Sequence, residues 1–200
     1  MRTAYPVQNP VSRFHRLYAQ AQNVDRSILP EPNAMSLATV GMSGNPSVRI
    51  VLMKGVDERG FVFYTNLEGR KGRELRTRAF AAICFHWAPL EVQVRAEGPV
   101  TSVTDVEADE YFATRPRESQ VGAWASIQSQ PIEQPGDLID RVAEVEERFA
   151  GKEVTRPPFW SGFRLRPERI EFWRSRPGRL HERHLYRRAG DSWTMDTLYP

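Results

Sequence analysis

Between Ala34 and Thr65 the chain carries three short strand-like runs, MSLATV, SVRIVLMK and FVFYT, separated only by GMSGN and GVDERG. These breaks have turn chemistry and are too short for the crossover of a dozen or more residues that parallel pairing needs. The sheet must therefore begin as an antiparallel meander. The runs FAAICFHW and EVQVRAEGPVTSV follow, joined by a turn at Ala88-Pro89. GFRLRP, RIEFWRS, RHLYRR and SWTMDTLYP close the sequence, the last two linked by a hairpin turn in RRAGDS. Seven or eight mostly antiparallel strands are expected. Closure removes exposed edges, so the expected fold is mainly β with α: a small barrel with peripheral helices over its openings. SVRIVLMK is apolar enough that part of it is expected to be buried on both faces.

Four helices are expected around this sheet, one of them a short basic helix within NLEGRKGRELRTR. Val11, Phe14, Leu17, Tyr18 and Ala21 give Pro10 to Gln22 one apolar face, and NVDRSILPEPN after it reads as a loop. Thr104, with Asp105 and Glu107 behind it, is an N-cap signal for VEADEYFATR, which Pro116 ends. GDLIDRVAEVEERFAG has an apolar stripe of Leu138, Val142, Val145 and Phe149 and stops at Gly151. The 200 residues suit one domain with one core: a helix and loop over 1–33, barrel strands over 34–104, helices over 105–150 and strands over 160–200.

Composition narrows the function without deciding it. The net charge of +3 is carried mostly by arginine, whose fork suits phosphate and carboxylate. Phosphorylated small molecules, nucleic acid and a merely solvated basic surface all remain open. No run approaches the roughly 20 apolar residues of a membrane helix, and the N-terminus lacks an apolar signal core. Cys84 is the only cysteine, which excludes an intrachain disulfide; it is expected to be a small buried hydrophobe. A cytoplasmic protein is expected. The chain has no GxGxxG after its first strand, no P-loop and no GxSxG elbow. HERH brings His181 and His184 close without a ligand cluster, so no metal site is expected. Chemistry must come from a cofactor or be absent, and any phosphate must be held by side chains.

Four clusters are candidates. RIVLMK places Arg49 and Lys54 at the two ends of an apolar strand. Five residues apart, they are expected on opposite faces, where they either serve two anions or simply reach solvent. YTNLEGRKGREL delivers Arg70 and Lys71 to a helix start, where cations oppose the helix dipole unless an anion is present. This segment also leads into a short basic helix. In YFATRPRESQVGAW, Tyr111 and Arg115 share a helix face, with Arg117 and Ser119 beyond the proline; this is a second phosphate pocket or an ordinary helix C-terminus. FWRSRPGRLHERHLY concentrates Trp173, Arg179, His181 and Arg183. On an extended segment the last three point to one side, which is costly as packing and sensible as a binding wall.

At these clusters the sequence resembles the pyridoxamine 5′-phosphate oxidase family. The signatures are RIVLMK, FYTNLEGRKGREL, RPRESQVGAWAS with IQSQ, and IEFW followed by RLHERHLY, in order along nearly the whole chain. The resemblance implies an FMN-binding split β-barrel, a homodimer with FMN at the subunit interface, and neither nucleic acid nor membrane as partner. It implies that Arg49 and Lys71 hold the FMN phosphate, with Arg70, Tyr64, Thr65 and Ser129 nearby. Ile50, Val51 and Leu52 would line the flavin, and Gln93, Gln128, Trp173 and Arg183 match flavin-contacting positions. Lys54, Tyr111, Arg115 and Ser119 match positions binding the substrate phosphate, while Arg179, Leu180 and His181 lie against the substrate ring. Arg179 and His181 are the catalytic candidates, for positioning and polarising the substrate.

The reaction implied is oxidation of pyridoxamine 5′-phosphate or pyridoxine 5′-phosphate to pyridoxal 5′-phosphate, with hydride passing to FMN and dioxygen reduced to hydrogen peroxide. Family members often carry a longer basic, Tyr-containing segment before the first helix. Here only MRTAYPVQ stands there, and the role is not carried over to Arg2 and Tyr5. Two rival readings are a phenazine-type oxidase on the same fold and a non-enzymatic flavin, haem or RNA binder.

Overall fold

The structure, a computed structural model, describes residues 9–200; Arg2 and Tyr5 lie outside the described residues. Ten strands form one antiparallel sheet: β1 (Ala34–Val40), β2 (Pro46–Leu52), β3 (Gly55–Asp57), β4 (Gly60–Asn66), β5 (Phe80–Trp87), β6 (Val92–Ser102), β7 (Trp160–Leu165), β8 (Arg169–Arg174), β9 (Glu182–Ala189) and β10 (Ser192–Leu198). The main path runs β10-β9-β8-β6-β5-β1-β2, and a branch joins β6 to β7, β4 and β3. The branch exists because β6 is long. Its residues 92–97 pair with β8, and its residues 100–102 pair with β7. Sharing one strand in this way curls the sheet into a half-barrel. Ten strands exceed the expected seven or eight; one of them, β3, lies within the GVDERG turn, where Gly55–Asp57 pairs with β4.

Five helices pack around the sheet: α1 (Pro10–Gln22), α2 (Arg70–Thr77), α3 (Asp105–Ala113), α4 (Arg117–Ala125) and α5 (Asp137–Arg148). The α1 boundaries match the apolar periodicity. Asn9 caps it by accepting from the Val11 and Ser12 amides, at 2.8 and 3.4 Å. Phe14, buried completely, packs among Phe61, Phe85 and Trp87 with ring centroids 4.9, 5.1 and 5.8 Å away. Burial of one such ring stabilises the fold by about 1.5–3 kcal/mol. In α3, Thr104 and Glu107 form a reciprocal capping box.

Several expectations are corrected. β2 is not buried on both faces: it ends the sheet, and Val48 and Ile50 are 69% and 63% exposed. Among the described residues its ladder partner is β1 alone, and no strand pairs with its outer edge. Leu138 is exposed and not part of the α5 stripe, whereas Val142, Val145 and Phe149 pack inward. Cys84 is half-buried, because it points to the outer face of the sheet. Residues 117–125 are helical because Pro116, read as a terminator, stands at the N-cap of α4.

Candidate active site

A cavity of about 680 Å³ opens between β2, β4 and the helices α2, α3 and α4. Arg49, Ile50, Val51, Leu52, Lys54, Tyr64, Thr65, Lys71, Tyr111, Arg115, Ser119 and Gln128 all line it. Three of the four clusters therefore converge. Arg49 and Lys54 face the same cavity, not opposite sides: β2 ends at Leu52, and the Lys54 amide turns to the Val62 carbonyl. Tyr111 and Arg115 do not share a helix face either, since α3 ends at Ala113. Arg115 reaches the cavity from the turn between α3 and α4.

One end of the cavity is built on GRKGREL. The Lys71 ammonium donates to Thr65 Oγ1 (3.0 Å) and Gln128 Oε1 (2.7 Å). Burial and the neighbouring Arg49 charge push its pKa down. It stands in the first turn of α2, which has neither a side-chain cap nor an acidic residue there. An uncapped helix start beside a half-buried cation favours an anion. The Arg70 amide receives support from Ser129, whose hydroxyl accepts it at 3.3 Å. Gly72 is required where α2 leaves the loop, because a Cβ there would stand 2.4 Å from the Leu67 carbonyl oxygen.

Behind this end lies a buried carboxylate not foreseen from the sequence. Glu74 accepts from Thr39 (2.5 Å), Ser47 (2.6 Å), Arg49 (3.3 Å) and Arg70 (2.9 Å). Arg49 also donates to the Leu37 carbonyl and the Thr39 and Ser47 hydroxyls. Desolvation pushes the Glu74 pKa up, but the hydrogen bonds from Ser47, Thr39 and Arg70 and the Arg49 charge outweigh it and bring it to about 2. An unfolded glutamate titrates near pH 4.3, so the stability Glu74 contributes is complete above that pH and is lost as pH falls toward 2. The stability gap between wild type and Glu74→Gln should thus shrink between about pH 4 and pH 2. Urea midpoints measured across that range test this; a gap independent of pH contradicts it. The signal was present in sequence as an Arg-Glu pair four apart.

The other end holds Lys54, Tyr111, Arg115 and Ser119 beside the start of α4, which also lacks a side-chain cap. Arg115 Nη1 is buried without a hydrogen-bond partner, and burial lowers the pKa of the guanidinium. Among the described residues, Lys54, Lys71 and Arg115 form no ion pair with a carboxylate. A wall of stacked rings separates the two ends from the core: Tyr64 lies 4.1 Å from Tyr111 and 5.3 Å from Trp160, centroid to centroid. The Tyr64 hydroxyl donates to the Glu107 carbonyl, so its ring, not its oxygen, serves the cavity. Gly162, opposite Tyr64 in the β4–β7 register, leaves room for that ring; a Cβ there would be 2.7 Å from it. Asn66, Thr114 and Pro116, which fall within the second and third clusters without being singled out there, also line the cavity, as does Trp160, which no motif marked.

The fourth cluster is elsewhere. Gln93, Trp173 and Arg183 form one row across β6, β8 and β9, and neither they nor Arg179, Leu180 and His181 line the cavity. The segment 179–183 is not uniformly extended: Arg179 has φ 61° and sits in a short 3-10 turn, and β9 starts only at Glu182. Arg183 grips Glu171 with two nitrogens, at 2.9 and 3.1 Å. The His181 ring lies 4.6 Å from the Trp173 ring, and its Nδ1 accepts from the Arg176 amide at 3.2 Å, which leaves Nε2 to carry the proton. No described helix is long and apolar enough to cross a membrane, and no group of three or more potential metal-ligating residues gathers among the described residues.

Fold and cavity together define a split-sheet protein with a basic, aromatic-walled site for anionic ligands. Residues 23–174 match the pyridoxamine 5′-phosphate oxidase family, and residues 160–200 match the C-terminal dimerisation region of pyridoxine 5′-phosphate oxidase. A pyridoxine/pyridoxamine 5′-phosphate oxidase of Myxococcus xanthus (strain DK1622) is 56% identical over 192 residues, covering 96% of this chain and 92% of its own. One from Rubrobacter xylanophilus is 54% identical over 192 residues, covering 96% and 87%. PhzG from Burkholderia lata 383, solved with tetrahydrophenazine-1-carboxylic acid, superposes with a TM-score of 0.89 at 31% identity over 98% of this chain and 94% of that one. The chain belongs to the pyridoxamine 5′-phosphate oxidase family and is an oxidoreductase. Oxidases of this family bind FMN, and the half-buried, carboxylate-free Lys71 at an uncapped helix start fits the phosphate of such a cofactor.

Proposed function

We propose that the chain oxidises pyridoxamine 5′-phosphate or pyridoxine 5′-phosphate to pyridoxal 5′-phosphate, as a homodimer that holds FMN between its subunits. The observation that carries this reading is the presence of two separate sets of cations without carboxylate partners, Lys71 and Lys54 with Arg115, on one cavity. Two phosphorylated ligands side by side satisfy both. Bound FMN would supply a two-electron acceptor for hydride from the 4′ carbon, reoxidised by dioxygen to hydrogen peroxide, while for the amine substrate water would hydrolyse the resulting imine and release ammonia.

The chain's own residues bind and orient. Lys71, Arg49, Arg70, Thr65, Gln128, Ser129 and the start of α2 hold the cofactor phosphate, and Ile50, Val51 and Leu52 lie along its ring. Lys54, Tyr111, Arg115, Ser119 and the start of α4 fix the substrate phosphate, which turns a loose encounter into an aligned one. Gln93, Trp173, Arg179, Leu180, His181 and Arg183 act on the cavity of a second copy. Three facts support this. In their own chain these residues line no part of the cavity. Trp173 to Arg183 fall in the dimerisation region. Exposed Val48 and Ile50 give the outer sheet face an apolar area for a partner to cover and to exclude water. In that arrangement Arg179 and the His181 Nε2–H face the substrate ring.

The likeness to PhzG supports a second reading, a phenazine-type oxidase, whose substrate offers a carboxylate and no phosphate. The Lys54 and Arg115 end of the cavity favours a phosphorylated substrate. FMN-loaded protein should form pyridoxal 5′-phosphate and peroxide in equal amounts. Unphosphorylated pyridoxamine should react with kcat/KM lower by about 100-fold or more, the loss of at least two charge-assisted hydrogen bonds. Turnover of tetrahydrophenazine-1-carboxylic acid without turnover of either B6 phosphate would overturn the proposal.

A further inference from the structure

We propose that Trp160 is the positioning residue for Arg115, orienting the guanidinium through its ring face so that charge and donors stay free for the substrate phosphate; this rests on the function proposed above. Three other arginines of the site are held by carboxylates. Arg49 and Arg70 meet Glu74, and Arg183 meets Glu171. A carboxylate orients a guanidinium but also neutralises it and occupies its N–H groups. Arg115 is handled differently. Its guanidinium carbon lies 4.8 Å from the Trp160 ring centroid and 5.4 Å from that of Phe112, and its Nη1 keeps an unused donor in a buried place. A π face attracts the cation without consuming its in-plane donors.

The platform is itself fixed. Trp160 is 6% exposed, and its ring is nearly parallel to Tyr64 (6°) and Tyr111 (11°). Its edge packs on Phe112 at 71°. The backbone is anchored as well, since β7 pairs Trp160 with Asn66 of β4 and Arg156 donates to the Trp160 carbonyl at 2.8 Å. The guanidinium thus rests on a surface that does not move with solvent.

The test is a double-mutant cycle on FMN-loaded protein with Trp160→Leu and Arg115→Ala. Trp160→Leu should raise KM for pyridoxamine 5′-phosphate by about 5- to 30-fold, the range of one desolvated cation–π contact. Its effect on kcat/KM for unphosphorylated pyridoxamine should be at least several-fold smaller. In the Arg115→Ala background the same substitution should add nothing, because coupled residues are non-additive. Trp160→Phe should restore most of the loss, and it carries the test if the leucine variant does not fold. Equal losses with and without Arg115, or equal losses on both substrates, overturn the inference. A wild type with no preference for the phosphorylated substrate overturns the proposed function instead.

Discussion

Arg49→Ala is expected to purify without flavin and to bind added FMN at least about 100-fold more weakly than wild type, since charge-assisted hydrogen bonds contribute about 1.5–3 kcal/mol each. Two effects act in the same direction. The cofactor phosphate loses a cation, and Glu74 loses one of its two guanidinium partners, which lowers the positive charge of the site floor. The fold should survive, because Glu74 keeps Thr39, Ser47 and Arg70. Pairing the change with Glu74→Gln separates the two effects: flavin stays lost if Arg49 itself holds the phosphate. Flavin absorbance per chain and a fluorescence titration read the result. Full flavin occupancy in Arg49→Ala would contradict the placement of the cofactor phosphate.

His181→Ala and Arg179→Ala should behave in the opposite way, keeping flavin while kcat falls by about 100-fold or more, as when a group positioned for proton transfer or polarisation is removed. The larger consequence concerns which chain supplies them. If the cavity of one subunit is completed by the 179–183 segment of the other, an Arg49→Ala chain and a His181→Ala chain together rebuild one intact site per mixed dimer. Random reassociation of the two inactive variants should then recover about a quarter of wild-type activity, because half the dimers are mixed and each carries one good site. No recovery would place both residues in the same site of a single chain and defeat the shared-site arrangement.

The elements set by local pattern were legible in the sequence. The α1 stripe, the Thr104 cap and the closing hairpin all form where their residues demanded, since each depends on neighbours only a few positions away. The misses share a different cause. The apolar character of β2 indicates burial, but not that the other described residues leave Val48 and Ile50 exposed. Arg49 and Lys54 were placed by strand alternation, which fails because the strand ends between them at Leu52. The alternation assigned to Arg179, His181 and Arg183 fails at Arg179, whose positive φ breaks the extended backbone. Pro116 was ambiguous by its nature, stopping one helix and starting the next. In the site, the cation clusters were visible because unpaired charge is conspicuous in sequence. Of their supports, Glu74 left only the trace of its i,i+4 pairing with Arg70 and Trp160 left none, because a buried carboxylate and a buried ring resemble any others until the fold brings Arg49 or Arg115 onto them.

The most direct test is anaerobic mixing of the FMN-loaded protein with pyridoxamine 5′-phosphate, following the flavin absorbance and the pyridoxal 5′-phosphate formed. The expected result is bleaching of the flavin with about one pyridoxal 5′-phosphate per flavin, and return of the colour with release of peroxide once dioxygen is admitted. A flavin band unchanged by both pyridoxamine 5′-phosphate and pyridoxine 5′-phosphate would contradict the proposed function.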